Sequence, residues 1–229
     1  AWKDKFELGW PTLVPSPTLG LVAPITQLRS SPKNFKSLFD FAIAGPLAGL
    51  VVSLGLLIFG LMLMGTLDIT QAAQLPSVPI EILQSSFIGG KLVELFLGDG
   101  VLTGGFGAET LHMHPFALSG YIGLIANAMA LFPIGDTDGG RMSLALCGIT
   151  RGRTLQRIFS VASIAQLVGR TFLHLDPANI TLLYVFYVLL FQRTLPAPIQ
   201  NEVDGVDSVR YGLGLAAEAF AIATLYPLL

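Results

Sequence analysis

From Phe41 to Met64 the chain runs without a single charged residue, and further apolar runs follow at Phe116–Pro133, Ile158–Leu175, Ile180–Phe191 and Tyr211–Tyr226. About 20 apolar residues suffice to cross the hydrocarbon core of a bilayer as a helix. Charged residues make up 12% of the chain, against about 25% in an ordinary soluble domain. The expected fold class is therefore an all-α polytopic membrane protein, with about five transmembrane helices and a short β segment near the N-terminus. Its 229 residues allow one compact bundle in contact with membrane lipid and no large soluble domain. A net charge of -2 says nothing about nucleic acid and no basic stripe suggests it, so no nucleic-acid partner is expected. Cys147 is alone, so neither an intrachain disulfide nor a cysteine metal cluster can form. The chain starts at Ala1 with no visible presequence, which leads us to expect a processed or incomplete chain.

Residues 1–37 form an N-terminal polar and β segment, with Gly20–Leu28 expected as a short strand and Arg29, Lys33 and Lys36 as a basic collar. Residues 38–229 form the helical core. Gly45 and Gly49 in the first span have the small-xxx-small spacing that lets membrane helices approach closely. The 66–113 loop is acidic. Within it, Pro79–Phe96 has near-helical apolar spacing interrupted by Gly89-Gly90, so an interfacial or re-entrant helix is expected rather than a span. Gly98–Gly107 is expected to be a flexible connector. Arg141, Arg151, Arg153 and Arg157 lie in a basic connection before the third span. If the spans alternate, every basic loop falls on one side and the acidic loop on the other, as the positive-inside rule demands.

Chemistry concentrates at the end of the second span, where Pro133 and Gly135 break the apolar run and release Asp136, Asp138 and the pair Gly139-Gly140. A carboxylate at such a boundary is costly unless something positive satisfies it. Two readings of Asp138 stay open, a metal ligand and a polar loop that caps a helix. Asp136 is expected to be a solvated acid. His112 and His114 lie at the opposite end of that span and His174 at the far end of the third. About 24 residues, roughly 30 Å of helix, separate His114 from Asp138, so no imidazole is expected to share a metal with it. His112 and His114 are expected to be loop residues on the acidic-loop side; they and His174 are weak candidates for ligating the magnesium of a chlorophyll, and carotenoid is the other pigment considered as a cofactor. Arg170 and Glu218 are intramembrane polar residues suited to helix–helix hydrogen bonding or to pairing with each other.

Taken in order, these segments resemble the site-2 protease family of intramembrane zinc metalloproteases, above all its plastid and cyanobacterial "ethylene-dependent gravitropism-deficient and yellow-green" branch. The likeness rests on Ala130-Leu-Phe-Pro-Ile-Gly-Asp-Thr-Asp-Gly-Gly-Arg141, Lys5–Gly9, Leu13–Ser16, Gly20–Leu28, Ala44-Gly-Pro-Leu-Ala-Gly49, His114-Pro-Phe, Gly120–Leu124 and Gln192-Arg-Thr194. It implies zinc held by Asp138 together with two histidines of a His-Glu-x-x-His helix, a motif this sequence does not contain. The family's Asn is Ala130 here, its Leu is Thr137, and Asp136 is an added acid. Two functions follow as expectations. One is a catalytically inactive, protease-derived structural subunit of a larger membrane complex, such as a photosynthetic complex of the thylakoid. The alternative is the C-terminal part of an active protease that cuts a transmembrane substrate protein. A transporter fits less well, for no inverted repeat is visible.

Overall fold

The computed structural model describes residues 8–16, 20–28, 30–102, 109–172, 188 and 198–228, and the side chains among these from residue 30 onward except at 69 and 166–172. Two strands, β1 (Leu8–Ser16) and β2 (Gly20–Leu28), are followed by α1 (Phe35–Met64), α2 (Ile69–Ala72), β3 (Ser77–Pro79), α3 (Ile80–Gln84), α4 (Phe87–Leu97) and β4 (Thr110–His112). Then come α5 (Pro115–Ala130), α6 (Asp138–Phe172) and α7 (Ser208–Leu225). The chain divides into two compact units, Ala1–Leu47 with Met129–Ala221, and Ala48–Ala128 with Ile222–Leu229.

In the first unit, β1 and β2 pair antiparallel from Leu8↔Leu28 to Ser16↔Gly20. The expected strand at Gly20–Leu28 is present, and its partner is the proline-containing segment before it. The register slips next to Pro11 and Pro15, where proline has no N–H to give the ladder. The segments that lead into α1 and α7 lie together. Asn34 bridges Asn201 in parallel, and Arg210 grips Asp40 through Nε–Oδ1 at 2.7 Å and Nη2–Oδ2 at 2.8 Å. This fork-to-fork geometry is the strongest form of an arginine–carboxylate pair. A further hydrogen bond from Arg210 to Asp207 completes the clasp.

α6 is not one rod. At Gly148 the backbone turns to φ 76° and ψ 167°, a conformation open to glycine, and divides the helix into two arms. The second arm packs back on the first: a Cβ on Gly152 would lie 2.8 Å from Leu144 Cα. Phe159 meets Phe132 edge to face at 5.5 Å. The arginines from 141 to 157, expected on a connection, are therefore helical.

In the second unit, α1 and α5 cross in close antiparallel contact. Asn127 lies at Gly49, Ser53 faces Gly123, Leu57 faces Gly120, and Ala117 faces Gly60. A Cβ on Gly120 would sit 2.2 Å from Leu57 N, so only glycine permits this spacing. Gly45, by contrast, faces no described atom within 4 Å. The long acidic loop is pinned at its base by β3 pairing with β4, Ser77↔His112 to Pro79↔Thr110. Its helical stretch breaks at Ser85-Ser86 and not at the glycine pair, which corrects the expectation. Ser86 caps α4 by accepting the Gly89 N–H at 3.0 Å, and α4 runs on through Gly89-Gly90 because Tyr121 fills the space beside Gly89. Neither α3 nor α4 has the ~20 residues of a span.

Among the described residues, α1 is the helix long and apolar enough to cross a bilayer, with a mean hydropathy of 2.5 over its best window. α5 is apolar but has 16 residues. The fifth expected span coincides with α7, the third with the second arm of α6. The fourth, 180–191, falls outside the described residues apart from 188. The fold is mostly helical with two small sheets, and the number of spans is not fixed by the described helices.

Candidate functional site

The loop 131–137 delivers its carboxylates by folding tightly over the first turn of α6. Thr137 is the N-cap. Its hydroxyl accepts the Gly140 N–H at 3.1 Å and donates toward Ile134 O at 2.7 Å and Phe132 O at 3.0 Å. A capping hydroxyl satisfies one of the donors left free at a helix start. Gly139 and Gly140 are demanded by this fold-over. A Cβ at 139 would lie 2.0 Å from Leu131 O, and one at 140 would lie 2.2 Å from Gly135 O. Gly135 itself, at φ 53°, makes the bend.

Asp136 is not solvated, contrary to expectation. Its side chain is 9% exposed and accepts a hydrogen bond from Arg141 Nε at 3.0 Å. The same guanidinium, 4% exposed, reaches Asp138 Oδ1 through Nη1 at 3.3 Å and lies 5.8 Å from the Phe41 ring centroid. Asp138, the more open of the two acids at 32% exposed, occupies the first helical position, where the α6 dipole favours a negative charge. Burial pushes its carboxyl up to about 6; the Arg141 charge opposes this and the Asp136 charge adds to it. One cation thus serves two acids, and the cluster carries one net negative charge when all three are ionised.

Gln156, on the second arm of α6, braces the turn from behind. Its amide donates to Gly140 O at 2.7 Å and to Ser143 Oγ at 3.3 Å. Neither Thr137 nor Gln156 was singled out from sequence as a positioning residue. The Thr-Asp-Gly-Gly order before an apolar periodic run is an N-cap signal that identifies the first. No sequence signal reaches the second, for it depends on the fold-back at Gly148.

The histidines either have local partners or lie outside the described residues. His114 caps α5 by accepting the Phe116 N–H at 3.2 Å. His112 Nδ1 lies 2.8 Å from Leu75 O. His174 and the Arg170 side chain are outside the described residues. Glu218 is buried on α7, and its Oε1 has no hydrogen-bond partner among the described residues. No three His, Cys, Asp or Glu side chains among the described residues converge on a point that could hold a metal. Asp138 alone, already ion-paired, does not make a zinc site, since such sites take three or four protein ligands.

Comparison with known proteins gives this geometry a context. The family model for peptidase family M50 matches residues 14–175. "Probable zinc metalloprotease EGY1, chloroplastic" of Oryza sativa subsp. japonica is 32% identical over 232 residues, covering 100% of this chain and 37% of that protein. Its Arabidopsis thaliana counterpart is 31% identical, covering 97% of this chain and 38% of the relative. "Probable zinc metalloprotease EGY2, chloroplastic" of Arabidopsis thaliana is 28% identical, covering 96% and 37%. The chain therefore spans under two fifths of these relatives' own lengths. No solved structure matches it.

Proposed function

The chain belongs to peptidase family M50, the site-2 proteases, and from that footing we propose that it serves as a non-catalytic structural subunit of a larger plastid membrane complex. One observation carries this reading: the aspartate at the family's zinc-ligand position is ion-paired to Arg141, which a second, buried carboxylate holds in place. The turn is closed by its own side chains. Ala130 and Thr137 fit the same picture, since one lacks the family's amide and the other is spent on capping.

The segments entering α1 and α7 lie side by side, as the entries to the first and last of five alternating spans would. This supports a membrane bundle whose Asp138 end shares a side with the basic collar. Plastid residence follows the chloroplastic relatives, and within the plastid we place the chain in the thylakoid, in a photosynthetic complex.

A second reading is favoured by the one-third exposure of Asp138 and by the relatives' names. In it, the chain is the C-terminal part of a zinc-dependent intramembrane protease acting on a transmembrane substrate. Zinc, when bound in such a site, would polarise the scissile carbonyl and activate a water. The nitrogen ligands would come from outside the described residues. Gentle solubilisation from the native membrane, with sizing and zinc analysis, separates the two. The structural reading expects stoichiometric partner chains and zinc far below one per chain. A monomer with one zinc per chain and proteolytic activity overturns it.

A further inference from the structure

A cavity of about 320 Å³ opens in the second unit between α4 and the chain's last residues. It falls at the small end of the range of ligand pockets. Phe87, Ile222, Ala223, Tyr226 and Leu228 give it apolar walls, and among the described residues Lys91 is the one charged side chain that lines it. The walls are fixed by backbone. Phe87 N–H donates to Tyr226 O at 2.6 Å and Leu228 N–H donates to Gln84 O at 2.8 Å, so the last turn of chain is strapped to α3 and α4. Of the lining residues, Phe87 and Tyr226 are exposed, and Leu95 and Phe96 further along α4 are exposed as well. A soluble surface rarely clusters large apolar groups in this way, whereas an interfacial one does.

Lys91 sets the polarity of the occupant. Its ammonium donates to Glu94 Oε2 at 2.8 Å, yet its side chain remains 55% exposed above a carboxylate that is 4% exposed. An ammonium has three N–H donors. Glu94 fills one, and the exposed head can turn the others outward at the rim. A lysine stem lying along an apolar wall with its head at the rim is the arrangement that reaches a lipid head group.

We propose that this cavity binds one acyl chain of an anionic membrane lipid, with the phosphodiester of its head group accepting hydrogen bonds from Lys91. The apolar body excludes a free phosphate, and the open donors at the rim distinguish the site from a passive groove for a neutral lipid.

The test uses the full chain in nanodiscs or mild detergent, with dioleoyl phosphatidylglycerol as probe and phosphatidylcholine and a galactolipid as neutral comparisons. Native mass spectrometry should show one phosphatidylglycerol retained per chain, with retention of either neutral lipid about tenfold weaker. Ala223→Phe, which fills the cavity, should abolish retention. Lys91→Gln should weaken it about tenfold, and Lys91→Arg should preserve it. Because Lys91→Arg keeps the pairing with Glu94, loss of retention there in a folded protein counts against the proposal. Equal retention of the neutral lipids overturns the head-group assignment, as does indifference to Lys91→Gln. Retention that survives Ala223→Phe overturns the site.

Discussion

Arg141 Nε lies 3.0 Å from Asp136 Oδ1, with each side chain less than one tenth exposed. Burying a charge is tolerable only when it is matched, and removing one partner leaves the other stranded. Arg141→Met should therefore cost about 3–5 kcal/mol of stability. Asp136→Leu combined with Arg141→Met should lose less than Arg141→Met alone, since an apolar replacement of a buried pair is often neutral. Thermal unfolding of both variants in detergent, followed by circular dichroism, checks this ordering.

The glycine pair gives a sharper contrast. Gly139→Ala drives a methyl into Leu131 O and should destabilise by about 1–3 kcal/mol. Gly45→Ala meets no described atom within 4 Å and should stay within about 0.5 kcal/mol of the parent. The two unfolding midpoints, measured side by side, decide the matter.

Thr137 stands where the family has Leu, and the capping geometry accounts for its presence. Thr137→Leu should cost about 1 kcal/mol, while Thr137→Ser should keep most of the stability. Hydrogen exchange at the Gly140 amide supplies a local reading: protection falls in the first variant and persists in the second.

The clasp between the starts of α1 and α7 should depend on pH. The hydrogen bond from Arg210, first among several causes, holds the Asp207 carboxyl below its ordinary value. A depressed folded pKa means the contribution is complete above the unfolded value of about 3.9 and disappears as pH falls through the lower folded one. The parent should thus be more stable than Asp207→Asn at neutral pH, and the gap should close as the solution is acidified below about pH 4. Unfolding midpoints across that range test the sign.

Much of this was legible in the sequence where the signal is local. The strand at Gly20–Leu28, the long apolar helix at α1 and the release of Asp138 with its glycine pair were all visible in the chain. What stayed hidden depends on which way side chains turn and on contacts between distant segments. Gly89-Gly90 reads as a helix breaker, yet the Tyr121 ring beside Gly89 turns the missing side chain into a packing device. Asp136 reads as solvated because nothing in its neighbours foretells that Arg141 will turn inward. The arginines after 141 read as a connection because their charge masks a helix that turns back at a single glycine.

That turn at Gly148 also determines how the Asp138 end answers to disturbance. Because Gln156 reaches Gly140 only when the two arms are folded together, any event that spreads the arms withdraws support from the capped turn. A perturbation applied well along α6 would then register at the paired acids with no messenger other than the hinge itself.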